Sequence, residues 1–161
     1  MCYNTIQVVV VNLINKKIRK SFNFSKNYER DNLPRYVLDY VFDGEKILAA
    51  YKTDRDHGVF TDKKIVLFDT YSRFGIRKQI YTIPYRKVST ISVTFEGNKA
   101  SFDLLLDCGY PVTMKFTNME AKDKIRLRIL YSCVSRAVND QSPLEEDIKK
   151  LVEESARFKL T

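Results

Sequence analysis

Residues 88–116 read VSTISVTFEGNKASFDLLLDCGYPVTMKF, and the period of that stretch decides the fold. Apolar side chains recur at Val88, Ile91, Val93 and Phe95, then at Phe102, Leu104 and Leu106, then at Val112, Met114 and Phe116. Successive side chains of a strand point to opposite faces, so each set describes one strand with one buried face. Glu96-Gly97-Asn98 and Asp107-Cys108-Gly109-Tyr110 separate the sets. Connections this short join antiparallel neighbours.

Upstream, residues 47–51, 58–61, 65–68 and 78–83 give four more strands, with Thr61-Asp62-Lys63 as one tight turn. The expected total is seven. Gly58, Gly75, Gly97 and Gly109 are each expected at a turn of this meander. Before it, Asn32 can cap a short helix over 33–43, with Pro34 in its first turn, Val37, Leu38 and Val41 on one side, and Gly44 past its end.

Downstream, Thr117-Asn118-Met119-Glu120 has the spacing of a capping box, in which a hydroxyl and a carboxylate satisfy each other's backbone amides. A helix over 119–138 follows. Its apolar stripe is Ile125, Ile129, Cys133 and Ala137 beside Leu130, Val134 and Val138, suited to cover the open end of a curled sheet. Ser142-Pro143-Leu144-Glu145 opens a second helix with stripe Leu144, Ile148, Leu151 and Val152. At the other end, residues 1–15 carry no charged side chain, lack the basic flank and cleavage site of a signal peptide, and are too short to span a membrane. Their apolar positions suit a helix face, and their four consecutive valines suit a strand equally well.

A chain of 161 residues with ten Tyr and ten Phe can bury a core without disulfides. Its three cysteines, Cys2, Cys108 and Cys133, lack metal-binding spacing and fit a reducing, cytoplasmic setting. The formal charge is +8, with six basic groups and one acidic group in residues 1–30. Such an excess attracts polyanions and says nothing about fold. Catalysis has little to work with: the one histidine, His57, is expected in a solvated loop, and nothing in the sequence brings it to Cys108. No phosphate-binding glycine motif is present, and no set of metal ligands or cofactor contacts can be assembled. No catalytic, cofactor or metal residue is therefore named.

Three segments carry a family resemblance: GEKILAAY at 44–51, VFTDKKIVLFD at 59–69 and YTIPYRKVSTISV at 81–93. In order and spacing they resemble the bacterial pleckstrin-homology (PH) domain family over about residues 33–138. The resemblance implies a mainly β fold with helices, a seven-stranded antiparallel barrel capped by a C-terminal helix. It divides the chain into a basic and apolar segment at 1–32, the PH-like domain at 33–138 and an accessory helix at 139–161. The residues have their own physical reading. Phe60 and Ile65 point inward around the turn at Asp62 and Lys63, and Pro84, without an amide donor, marks a bend where the chain passes between sheets. Both motifs read as architecture.

Family resemblance also implies a binding or assembly module, and its bacterial members are associated with ring-like homo-oligomers. The expected function is a non-enzymatic scaffold, adaptor or regulator that binds protein, itself foremost, through Leu144, Ile148, Leu151 and Val152. The alternative is a peripheral binder of anionic membrane surface through Lys16, Lys17, Arg19, Lys20, Arg73, Arg77 and Lys78. Phosphoinositide recognition in the manner of some eukaryotic relatives is not expected, because in residues 52–57 the cations Lys52 and Arg55 are offset by Asp54 and Asp56. Sequence-specific nucleic-acid recognition has no signature either.

Overall fold

The computed structural model describes residues 21–27, 32–53, 55–70 and 78–157. In chain order the strands are β1 (Ser21–Phe24), β2 (Lys26–Asn27), β3 (Ile47–Lys52), β4 (Asp56–Thr61), β5 (Lys64–Thr70), β6 (Lys78–Pro84), β7 (Val88–Glu96), β8 (Lys99–Leu106) and β9 (Pro111–Phe116). Helix α1 (Arg35–Leu38) precedes β3, and α2 (Ala121–Val138) and α3 (Glu145–Arg157) follow β9. The seven expected strands are β3 to β9. They form two sheets rather than a closed barrel, one ordered β1-β9-β8-β7 and the other β2-β3-β4-β5-β6. Within each, the seven pair antiparallel. Pro84 ends β6, a 3-10 turn at Tyr85–Lys87 follows, and β7 begins the second sheet, so the bend falls where Pro84 puts it.

Strands β1 and β2 were not expected from the sequence. β1 runs parallel to β9, with Phe22 opposite Met114 and Phe24 opposite Phe116, and both phenylalanines are buried. Phe24 dictates the chemistry of its neighbour. A Cβ added at Gly58 would sit 2.7 Å from Phe24 Cζ, so Gly58 serves close packing in the middle of β4 and not the turn expected of it.

The inner faces of the sheets share one core, which includes Phe60, Ile65, Leu67, Phe102, Leu104 and Met114. A second cluster lies on the outer face of the five-stranded sheet, where Leu33 and Val37 cover Ile47, Ala50, Val59, Val66 and Phe68. Strands β3 to β5 are thus covered on both sides, which is why they read as nearly continuous apolar runs. Helix α1 is only one turn, shorter than the expected 33–43. Pro34, not Asn32, stands at its N-cap without a side-chain bond, Val37 is buried, and Leu38 is exposed.

Helix α2 covers the inner core with Arg126, Leu127, Leu130, Cys133 and Val134. Ile125 is 50% exposed, so the true buried face is rotated away from the first residue of the expected stripe. The capping box is also displaced. Glu120 and Asp123 form it, with the Glu120 N–H donating to Asp123 Oδ2 at 2.8 Å. Thr117 instead donates its N–H to the Phe24 carbonyl, tying off β1. Helix α3 starts at Glu145, where the Ile148 N–H donates to the Leu144 carbonyl. Ser142 does not cap it; the Ser142 carbonyl accepts from Arg136 Nε at 2.8 Å.

Candidate functional site

The three resemblance segments converge at one end of the sandwich. At the β4–β5 turn, the Thr61 hydroxyl accepts from the amides of Lys63 and Lys64, at 3.1 and 3.0 Å, and donates to the Lys64 carbonyl at 3.1 Å. This small polar loop is the one Asp62 and Lys63 announce. The residues before β3 lock onto it: the Asp62 N–H donates to the Lys46 carbonyl, and the Lys46 N–H donates to Asp62 Oδ1 at 2.9 Å. From the β6–β7 corner, the Tyr85 hydroxyl donates to the Thr61 carbonyl at 2.8 Å, and the Tyr85 N–H donates to the Lys63 carbonyl. Burial pushes the Tyr85 phenol well above its ordinary pKa, so it stays a proton donor in this bond.

Between this end and the corner joining α2 to α3 lies a groove of about 580 Å³. Pro84, Tyr85, Ala137 and Ile148 give it apolar lining, and Lys63 and Arg86 bring positive charge. Asp140 and Glu145 bring negative charge from the helix corner, and Lys46 reaches Glu145 at 3.6 Å. Beside the turn, Lys64 Nζ lies 3.1 Å from Glu45 Oε1 and 3.3 Å from the centroid of the Phe42 ring. This juxtaposition escaped the sequence, which shows Lys64 only as the residue between the turn at 61–63 and the strand at 65–68. The one available signal is the place of Lys64 directly before the apolar run Ile65-Val66-Leu67-Phe68.

Of the anion-contact residues expected, Lys16, Lys17, Arg19, Lys20, Arg73 and Arg77 lie outside the described residues, and Lys78 is the first residue of β6. The four oligomer-contact residues divide. Leu151 is fully buried on its own chain and Ile148 packs against the same core, while Leu144 and Val152 are 46% and 37% exposed. Leu151 is therefore corrected from a partner contact to a core residue: α3 folds back on its own sandwich. His57 is not in a loop but in β4, half-buried and paired with Lys52 and Phe68, its ring edge-on to Tyr36. Cys108 is exposed at the β8–β9 turn of the other sheet. Arg55 binds Asp69 on β5 at 3.2 Å, while Asp56 accepts the Asn23 N–H at 2.9 Å and so anchors β1. Among the described residues no three acidic, histidine or cysteine side chains gather as a metal site, and no helix is long and apolar enough to cross a membrane.

Comparison with known proteins agrees with this architecture. A family model described as bacterial PH domain matches residues 14–138. The uncharacterized protein YjqA of Bacillus subtilis strain 168 is 41% identical over 64 residues, which make up 40% of this chain and 49% of that protein. The chain thus spans about half the length of this curated relative. A DUF1696 family protein with a pleckstrin-homology domain from Shewanella loihica superposes with a TM-score of 0.59 at 19% identity, covering 73% of this chain and 99% of the other. A PH domain containing protein from Exiguobacterium sibiricum gives 0.57 at 17% identity over 73% of this chain and 63% of its own. At these identities the structural likeness speaks for the fold.

Proposed function

This chain belongs to the bacterial PH domain family, and we propose that it works as a non-enzymatic interaction module that binds further copies of itself. The observation that carries this reading is the division of the α3 stripe. Leu151 anchors the helix to the core, and that anchor holds Leu144 and Val152 at the surface as fixed apolar contacts. Exposed apolar groups on a rigid helix gain free energy when a matching surface covers them, by about 25 cal/mol per Å² of apolar area. An isologous pairing of two α3 helices covers the same patch on both copies.

Sedimentation velocity over a dilution series tests the reading. The account expects a sedimentation coefficient that rises with concentration and salt insensitivity of the assembled form, because the contact is apolar. A coefficient independent of concentration up to high micromolar would reject it. Salt-sensitive sedimentation with anionic liposomes by a chain that stays monomeric would favour the membrane-surface alternative.

A further inference from the structure

The groove beside the β4–β5 turn has a pair of buried charges whose hydrogen bonding is incomplete. The side chains of Lys64 and Glu45 are 6% and 10% exposed. Neither Lys64 Nζ nor Glu45 Oε2 has a hydrogen-bond partner among the described residues. An ammonium group brings three donors, and a carboxylate accepts at both oxygens. Desolvating such a pair costs several kcal/mol per ion, and apolar residues of the same volume would hold the fold as well or better. A use beyond holding strands together accounts for keeping it.

One ring lies over the ammonium of this pair. Phe42 stacks on Lys64 Nζ, yet is itself 64% exposed. It hangs from the loop between α1 and β3, two residues before Gly44, whose φ of +84° suits a residue without a side chain. Swinging the ring out frees the Lys64 ammonium toward the groove, whose wall Glu45 shares 3.1 Å away, and Phe42 belongs to no strand. Around the opening, Arg86 makes no ion pair among the described residues, Lys63 stands a loose 4.0 Å from Asp62, and Asp140 faces the groove from the helix corner.

We propose that this groove is a nucleotide-binding site, entered when Phe42 moves aside. The edge of the base sets a carbonyl oxygen against Lys64 Nζ and the adjoining N–H against Glu45 Oε2. The displaced Phe42 ring stacks on the base, Arg86 and Lys63 take the phosphate, and Asp140 accepts from a ribose hydroxyl. A groove of about 580 Å³ lies within the size range of small-ligand sites. Guanine carries the required carbonyl and N–H on one edge, which makes GMP the probe. The ligand bonds to the buried pair only in the open state, and this differential is what a ligand-driven opening requires. The inference is independent of self-association, since neither Leu144, just before α3, nor Val152 on it lines the groove.

Titration of the ¹⁵N-labelled full chain with GMP is the test. The expected result is saturable shifts at the amides of Phe42, Glu45 and Lys64, with a dissociation constant of about 1 mM or tighter. Arg86→Glu and Lys63→Glu, both at the surface, should each weaken binding by about tenfold or more, and guanosine without its phosphate should lose a similar factor. The paired change Glu45→Gln with Lys64→Met removes both charges together, leaves neither ion stranded, and should abolish the shifts. The proposal is overturned if those amides do not move up to about 10 mM GMP, if the two surface variants bind as the wild type does, or if inorganic phosphate alone gives the same response. If the paired variant fails to fold, the surface variants decide.

Discussion

Helices α2 and α3 read alike as sequence, each with an apolar residue every three or four positions, but they are held in different ways. Five residues of α2 are buried, among them Arg126, and the helix caps the core common to both sheets. Helix α3 commits Leu151 to that core, half-buries Ile148 and leaves Val152 outside, with Leu144 exposed just before its first residue. A stripe therefore says that a helix will be covered, and only the packing says by what. The first helix completes the domain; the second is half committed to it, and its exposed half is the surface on which the proposed self-association rests.

The contrast breaks first, and hardest, at Leu130. It is fully buried in α2, so Leu130→Asp forces a carboxylate into the core and should cost about 4 kcal/mol or more, seen as loss of the folding transition on urea titration. Leu151→Ala should cost less, about 2–4 kcal/mol, with the sandwich still folded. If Leu151→Ala is silent, α3 is not anchored and the contrast fails.

Tyr51 sharpens the comparison from below α2. Burial pushes its phenol up to about 12, and the nearby Arg126 opposes that shift. The folded state thus keeps a proton that the unfolded chain gives up near pH 10. The stability tied to that proton is complete below pH 10 and is lost as pH climbs toward 12, to a total of about 3 kcal/mol. Tyr51→Phe should flatten this part of the alkaline stability profile measured by denaturant titration. Cys133, pushed by burial up to about 11 on the same helix, should resist thiol reagents while exposed Cys108 reacts. The smallest effect belongs to Ile125. Half-exposed on α2, it should accept Asp with a change within about 0.5 kcal/mol, although its spacing in sequence puts it with Ile129 and Cys133.

That last mismatch shows what sequence can carry. Strands β7 to β9 were legible because a period of two repeated over six or more residues leaves little choice, and β3 to β5 because their apolar runs are bounded by short polar turns. The stripe of α2 was legible as a stripe, but 3.6 residues per turn lets an i+4 series drift around the helix, so its end at Ile125 left the core. The cap was ambiguous because Thr117 with Glu120 and Glu120 with Asp123 have the same spacing, and the competition was settled by Thr117 pairing with Phe24. Strand β1 was hidden in four residues, too few to show a period, and its parallel partner lies some ninety positions away. The candidate groove was half legible. One wall comes from the segments that carry the family resemblance and the other from the corner joining α2 to α3, whereas the Glu45–Lys64 pair exists because the β4–β5 turn folds back beside the residues before β3.

Light scattering of the full chain beside a Leu144→Asp, Val152→Asp double variant decides whether these two side chains join copies. Both changes lie at exposed positions, so the variant should keep the wild-type melting temperature to within a few degrees. The wild-type mass should be a multiple of 18.9 kDa at micromolar concentration, and the variant mass should fall to 18.9 kDa. A wild-type mass of 18.9 kDa at high micromolar concentration, or an assembly that the double variant leaves intact, would contradict it.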